Sequence, residues 1–440
     1  MDLRKSTELY SRTQAVLAGP STFGKAVDQF AYGITPYSVE RGSGAYVWDI
    51  DGNKYLDTMM ALGAVLLGYC NNKVEQAVIE QIKKGASFSL AHRLETEVAE
   101  MLVDRIPCAE MVRFGKNGSD VTSAAVRLAR HVTNKNHVLF CGYHGWQDWY
   151  ISKTSMNSGI PSEVGSYSHR FSYNDVDSLA NLIDEHDGDI ACIIMEPVSR
   201  TEPTCGNLCK ECKKEGTCRG FLHQIRDIAT KNNIVLVFDE IVTGFRFHRG
   251  GYQAICGIEP DLACFSKAMG NGSPISALVG KRAMMEQCQE IFFSLTFAGE
   301  AVSLAATKAV LEIIDDEKVP DGIKANGRFF MDGVRTLIDQ SGLNEVVQLE
   351  GFPCRSVLIF RDKDSYSSAD IRTFWIQELV SHGVLTAGYH IISHSHQNEE
   401  ISELLKKYNS VFSSLYQAIE EETLFDKLKC PPARESARSL

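Results

Sequence analysis

An acid and an amine stand at the ends of two buried apolar runs, and this pair carries the first chemical signal. Ile234-Val235-Leu236-Val237-Phe238 runs straight into Asp239-Glu240, and Leu262-Ala263-Cys264-Phe265 ends at Ser266-Lys267. An apolar, β-branched run of that length bounded by charge reads as a strand buried on both faces. In open α/β sheets, ligands collect at the carboxyl ends of such strands. A lone acid or a lone lysine there is most simply a solvated cap. Together they match the needs of one cofactor. Pyridoxal phosphate (PLP) is held as a Schiff base by a lysine, and its ring nitrogen needs an anionic partner to stay protonated. The protonated ring is the electron sink that stabilises a carbanion.

The elements that must position these residues alternate strand and helix. Met111-Val112-Arg113-Phe114 reads as a strand, residues 115–120 as a polar turn, and residues 121–132 as a helix with Ala124, Ala125, Leu128 and Ala129 on one face. A Gly-Ser turn that opens a helix offers backbone N–H groups and the positive helix end to an anion, though most such turns only cap the helix. Val138-Leu139-Phe140-Cys141 leads into Gly142-Tyr143-His144-Gly145-Trp146, and Ile190–Met195 leads into Glu196-Pro197. Helix Phe221–Lys231 precedes the strand that ends at Asp239. Residues 277–281 form a further strand, residues 292–300 a polar-aromatic loop containing Thr296, and residues 301–315 a helix. Before this alternation, residues 1–30 read as an N-terminal helix or arm. Residues 42–57 read as a hairpin about Asp51-Gly52-Asn53, and residues 73–84 and 95–106 as helices. After it, Ile401, Leu404, Leu405, Tyr408, Val411, Phe412, Leu415 and Ile419 mark a helical stripe with Asn398 as its N-cap. The tail beyond Cys430 reads as frayed.

Composition narrows the class. A chain of 440 residues suits two domains. A net charge of −11 with no basic stripe excludes a general nucleic-acid binder. No apolar run approaches the length of a membrane span, and no apolar segment follows Met1-Asp2-Leu3-Arg4-Lys5, so no secretion signal is expected. The 13 cysteines then read as reduced thiols of a cytoplasmic protein.

In this order, the pieces resemble a class III aminotransferase of PLP fold type I. The likeness runs from about Gly33 to the stripe ending at Ile419. It rests on the hairpin, Asn117-Gly118-Ser119-Asp120, Tyr143-His144-Gly145, Glu196-Pro197-Val198, residues 239–246, Ser266-Lys267 and Thr296-Phe297, and is strongest toward the glutamate-1-semialdehyde aminomutase branch. The resemblance implies an α/β fold: a large domain with a mostly parallel central sheet, and a smaller α+β domain drawn from both termini. The expected boundaries are 1–60, 61–310 and 311–440. It implies that Lys267 forms the Schiff base and moves the proton, and that Asp239 pairs with the ring nitrogen. Tyr143 would stack on one ring face, and Ile241, on the same strand face as Asp239, would pack on the other. Gly118 and Ser119 would bind the phosphate, and Thr296 would reach the phosphate of a neighbouring subunit in a homodimer with shared sites. Taken singly, Tyr143 reads as a core aromatic. His144 is assigned no catalytic role, and Glu196 is read as lying behind the site. The implied partners are a small-molecule amino donor and a carbonyl acceptor, with no nucleic acid and no membrane.

Two departures qualify the likeness. Ser199-Arg200-Thr201-Glu202 stands where the aminomutase branch has small residues and an asparagine, which favours intermolecular transfer over the mutase reaction. Trp146, Trp149 and Tyr150 suit a sugar-like acceptor, as in surface-polysaccharide pathways, or else a subunit interface. Arg200, Arg246 and Arg249 are the candidates for a substrate carboxylate. The second departure is an insertion at 205–218 containing Cys205, Cys209, Cys212 and Cys218. Four thiolates suit tetrahedral zinc, with an iron–sulfur cluster or a metal-free loop as alternatives. The alternatives to the aminotransferase are an intramolecular aminomutase and a non-catalytic dimeric scaffold that binds partners through the cysteine loop.

Overall fold

The computed structural model describes residues 1–204 and 220–434; the four cysteines of the insertion lie outside the described residues. The chain divides into two compact units, Asn72–Pro320 and the combination of Met1–Asn71 with Asp321–Leu440.

The unit Asn72–Pro320 is built on seven strands: β1 (Met111–Gly115), β2 (His137–Cys141), β3 (Ser168–Arg170), β4 (Ile190–Met195), β5 (Val235–Asp239), β6 (Leu262–Phe265) and β7 (Ser276–Gly280). Their order across the sheet is β1-β7-β6-β5-β4-β2-β3. Strand β7 is antiparallel to both neighbours, and the remaining pairs are parallel. Every residue of β4, β5 and β6 is buried, as expected for apolar runs covered on both faces. Helix Gly118–Thr133 packs Val121, Ala125 and Leu128 onto Phe140, Ile194, Val237, Cys264 and Leu278. Each Val, Leu, Ile or Phe among these contributes about 1.5–3 kcal/mol of burial. Sequence periodicity does not reveal β3, because Ser168-His169-Arg170 has no apolar run. It joins the sheet through register with β2, Leu139 opposite His169.

The other unit holds an antiparallel meander, Val39–Ser43, Tyr46–Asp49 and Lys54–Asp57, extended by the parallel strand Val384–Leu385. Its second sheet is Val347–Phe352, Arg355–Phe360 and Tyr389–Ile391. The hairpin and the N-terminal helix (Arg4–Val16) are both present. The stripe from Ile401 to Ile419 is the buried face of helix Asn398–Glu420. Its cap is Gln397 rather than Asn398: the Gln397 backbone is extended, and its N–H donates to Glu400 Oε2 at 3.1 Å. Among the described residues, no helix is long and apolar enough to cross a membrane.

Candidate active site

The parallel strands point their carboxyl ends the same way, so the segments after them meet along one edge of the sheet. Strand β5 delivers Asp239 and β6 delivers Lys267 on adjacent tracks, with Asp239 in register with Cys264. Strand β2 contributes Tyr143-His144, β4 contributes Glu196, and β1 leads through its turn to Gly118 and Ser119.

Asp239 is only 3 % exposed. Its Oδ1 accepts the N–H of Ile241 at 3.1 Å, and its Oδ2 lies 2.8 Å from His144 Nδ1. The opposite ring nitrogen, Nε2, is 3.1 Å from the carbonyl oxygen of Cys141. A carbonyl can only accept, so Nε2 carries a hydrogen, and the Nδ1 contact uses a hydrogen of the ring or of the carboxyl. His144 is buried and its own carbonyl accepts from Thr122 Oγ1 at 2.8 Å, tying the loop to helix Gly118–Thr133. Trp149 lies nearly parallel to the imidazole at 6.1 Å and donates from Nε1 to Ser123 Oγ at 3.0 Å. His144 is therefore the residue that positions Asp239, a role the sequence reading did not give it. The available signal was the pair of glycines flanking Tyr143-His144, which lets the loop fold back onto the strand. At Gly145 (φ +109°) a Cβ would lie 2.6 Å from Ser119 Cβ.

Ile241 corrects an expectation. The strand stops at Asp239, and Ile241 sits in the turn that follows, because the aspartate carboxylate captures its N–H. From that turn it is held against the helix start: a Cβ on Gly118 would lie 2.7 Å from Ile241 Cδ1. Gly118 and Ser119 form the first turn of a 16-residue helix, where backbone N–H groups lack intrahelical acceptors and the dipole is positive. Asp120 Oδ2 accepts the N–H groups of Lys116 and Asn117 at 3.2 and 2.7 Å and fixes this turn.

Lys267 has φ +45°, a conformation that costs a non-glycine residue of order 1–3 kcal/mol. It is maintained by Ser266, whose hydroxyl donates to the Ile275 carbonyl at 2.7 Å and whose carbonyl accepts from Met269 N–H at 3.0 Å. Tyr143 is 41 % exposed and meets Tyr150 edge-on at 5.6 Å.

The remaining expected residues divide. Thr296 is exposed and lies apart, in a groove of about 850 Å³ lined by Phe88, Leu90, Val103, Leu295 and the edge strand β1. Trp149 and Tyr150 are buried in the core cluster beneath the site, and only Trp146, 68 % exposed, faces solvent. The aromatic platform read for a sugar-like acceptor thus reduces to one ring. Arg249 is engaged by Asp104 and Asp315 at 3.1 and 3.4 Å. Arg200 is exposed and Arg246 fully buried. Glu240, wholly buried, accepts from Thr243 Oγ1 at 2.6 Å and from the N–H groups of Tyr252 and Gln253 at 2.7 and 3.1 Å. Burial raises its pKa against those hydrogen bonds. It builds the turn after Asp239.

A model of the class III aminotransferases matches residues 29–407. The chain is 32 % identical over 406 residues to a 3-aminobutyryl-CoA aminotransferase of Cloacimonas acidaminovorans, covering 91 % of this chain and 95 % of that protein. It is 31 % identical over 440 residues to a glutamate-1-semialdehyde 2,1-aminomutase of Methanosphaera stadtmanae, covering 95 % of this chain and all of that protein. Among solved structures it superposes with TM-score 0.86 and 27 % identity on the Sphingopyxis FumI protein in its PLP internal aldimine form, covering 98 % of this chain and 99 % of the other.

Proposed function

From the premise that the chain belongs to the class III aminotransferase family, we propose that it transfers an amino group from a small-molecule donor to an aldehyde or ketone, using PLP. The observation that carries this reading is the placement of buried Asp239, braced by His144, at the end of one strand and of Lys267 two residues past the end of its neighbour. The residues fit the cofactor. The first turn at Gly118-Ser119 is a cradle that a Cβ would fill, and the Asp239 carboxylate has lone pairs to spare beyond its two named contacts.

When bound, PLP supplies an electron sink for negative charge on the carbon next to the transferred nitrogen. Asp239 would hold a hydrogen on the ring nitrogen, and His144 would keep the carboxylate oriented. Lys267 Nζ would act as nucleophile and then move a proton between carbon positions. Gly118 and Ser119 N–H groups would bind the phosphate, while Tyr143 and Ile241 would fix the ring plane. Apolar exposed Phe88, Leu90 and Phe297 around Thr296 support a homodimer in which Thr296 reaches the partner's phosphate. Nine free cysteines among the described residues support a cytoplasmic setting. The spacing of Cys205, Cys209, Cys212 and Cys218 supports a thiolate zinc site, with an iron–sulfur cluster as its alternative. Trp146 alone supports a sugar-like acceptor.

The test is an absorption spectrum of the purified protein before and after L-glutamate. A violet band that bleaches is expected; no band after reconstitution with PLP would overturn the reading in favour of the scaffold. A second reading, the intramolecular aminomutase, is favoured by the full-length likeness to such enzymes. Turnover of an amino-aldehyde without any second amine would establish it and exclude the transferase.

A further inference from the structure

A second cluster lies at the other end of β2. His137 opens that strand, His169 is the middle residue of β3, and His186 caps helix Val176–Glu185. One ring nitrogen from each lies within 4.8 Å of the others. His137 Nδ1 and His169 Nε2 are 2.8 Å apart, and the His186 ring lies 4.3 and 4.0 Å from those of His137 and His169. All three are half-buried. His186 Nε2 is buried and makes no hydrogen bond, with Glu185 Oε1 3.8 Å away.

Backbone contacts fix the arrangement. The Asp189 carbonyl accepts the N–H groups of Asn136 and His137 at 3.2 and 2.9 Å, and the His186 carbonyl accepts the Asp189 N–H at 3.1 Å. Asp189 Oδ2 thereby stands 3.5 Å from His137 Nε2, on the far side of the ring from the cluster. A ligating histidine uses such a carboxylate to hold its tautomer and orientation. Packed imidazoles with no anion between them repel when protonated. Burial and the neighbouring rings accordingly lower the pKa of His137 and hold that of His169 at about 4. A neutral imidazole offers one ring-nitrogen lone pair. Three neutral imidazoles are a borderline-soft donor set. Zinc–nitrogen bonds of about 2.0–2.1 Å put tetrahedral ligand nitrogens roughly 3.3 Å apart, between the 2.8 Å of the His137–His169 pair and the 4.8 Å that bounds all three.

We propose that His137, His169 and His186 bind a divalent transition metal, zinc foremost, with Asp189 orienting His137 and water completing the coordination. The ion would clamp edge strand β3 and the following helix to β2. It would act structurally, since the five residues of β2, about 17 Å of strand, separate it from the loop bearing Tyr143.

The test adds zinc chloride to chelator-treated, PLP-loaded full-length protein and measures bound zinc per chain by equilibrium dialysis. A background in which Cys205, Cys209, Cys212 and Cys218 are all changed to Ser removes the rival thiolates. One zinc per chain at micromolar free zinc is expected, together with a rise of a few degrees in melting temperature. His169→Gln/His186→Gln should weaken that binding at least roughly 10- to 100-fold and abolish the rise, while PLP absorbance is retained. Should the double variant lose its PLP band, His186→Gln alone, altered only at a helix cap, decides by the same binding criterion. No zinc bound in the cysteine-depleted background, or equal binding in the histidine variants, would overturn the proposal.

Discussion

Strand β2 carries a histidine near each end, and the fold treats them in opposite ways. His144 is fully enclosed, with an oxygen partner at each ring nitrogen, so both nitrogens are engaged and the ring is fixed. His137 is half-buried against other imidazoles, with one carboxylate at a longer 3.5 Å. The first arrangement holds a neighbouring charge in place. The second leaves donor capacity for something from outside. Residue type is the same in both; the partners supplied by the flanking loops decide the role.

The comparison can be broken first at the catalytic edge. Lys267→Ala should lower kcat for amino transfer by at least about 10²–10⁴-fold, the range for loss of an acid–base group, and remove the violet band. Retained turnover would mean that this edge is not the reacting one. His144→Phe should cost about 1–3 kcal/mol of Asp239 positioning, a tenfold to hundredfold fall in kcat with the violet band kept. An unchanged kcat would reduce His144 to packing.

Two smaller effects sharpen the contrast. Gly118→Ala forces a Cβ onto Ile241; overpacking of about 1–3 kcal/mol should lower the melting point by a few degrees and weaken PLP binding. Ile241→Val, which removes the contacting methyl, should restore most of both. Failure of the second change to rescue the first would show that the cradle is set by something other than Ile241. The smallest effect concerns His396, buried between Ser393 and the Asp57 carbonyl, whose pKa burial lowers to about 4. The unfolded chain takes up this proton near 6.5. The stability it contributes is therefore full above that pH and declines as pH falls toward 4. His396→Gln should flatten the melting temperature between pH 6.5 and 4, and an unaltered acid slope would refute the assignment.

The legible parts of the site were those that end an apolar run. Asp239 and Lys267 stand out because β5 and β6 are buried on both faces and stop at them. His144 was not legible as a partner of Asp239, since the contact joins residues of two strands that are not neighbours in the sheet. Ile241 was misplaced because alternation cannot show where an aspartate side chain ends a strand. Trp149 and Tyr150 were read as surface aromatics, yet the short helix Asp148–Ile151 turns both inward. Strand β3 escaped detection because register with β2, rather than apolar content, makes it a strand.

The position of β1 in the sheet bears on how the protein is made. Met111 pairs with Gly280, and β1, at the edge, has no other strand beside it among the described residues. A ribosome adding about 5–20 residues per second needs roughly 10–30 s to synthesise the intervening chain. Through that interval the strand leading to Gly118 has no partner, and the phosphate cradle cannot be completed. Nascent chains arrested before β7 should therefore fail to retain PLP, although Asp239 and Lys267 have already been translated.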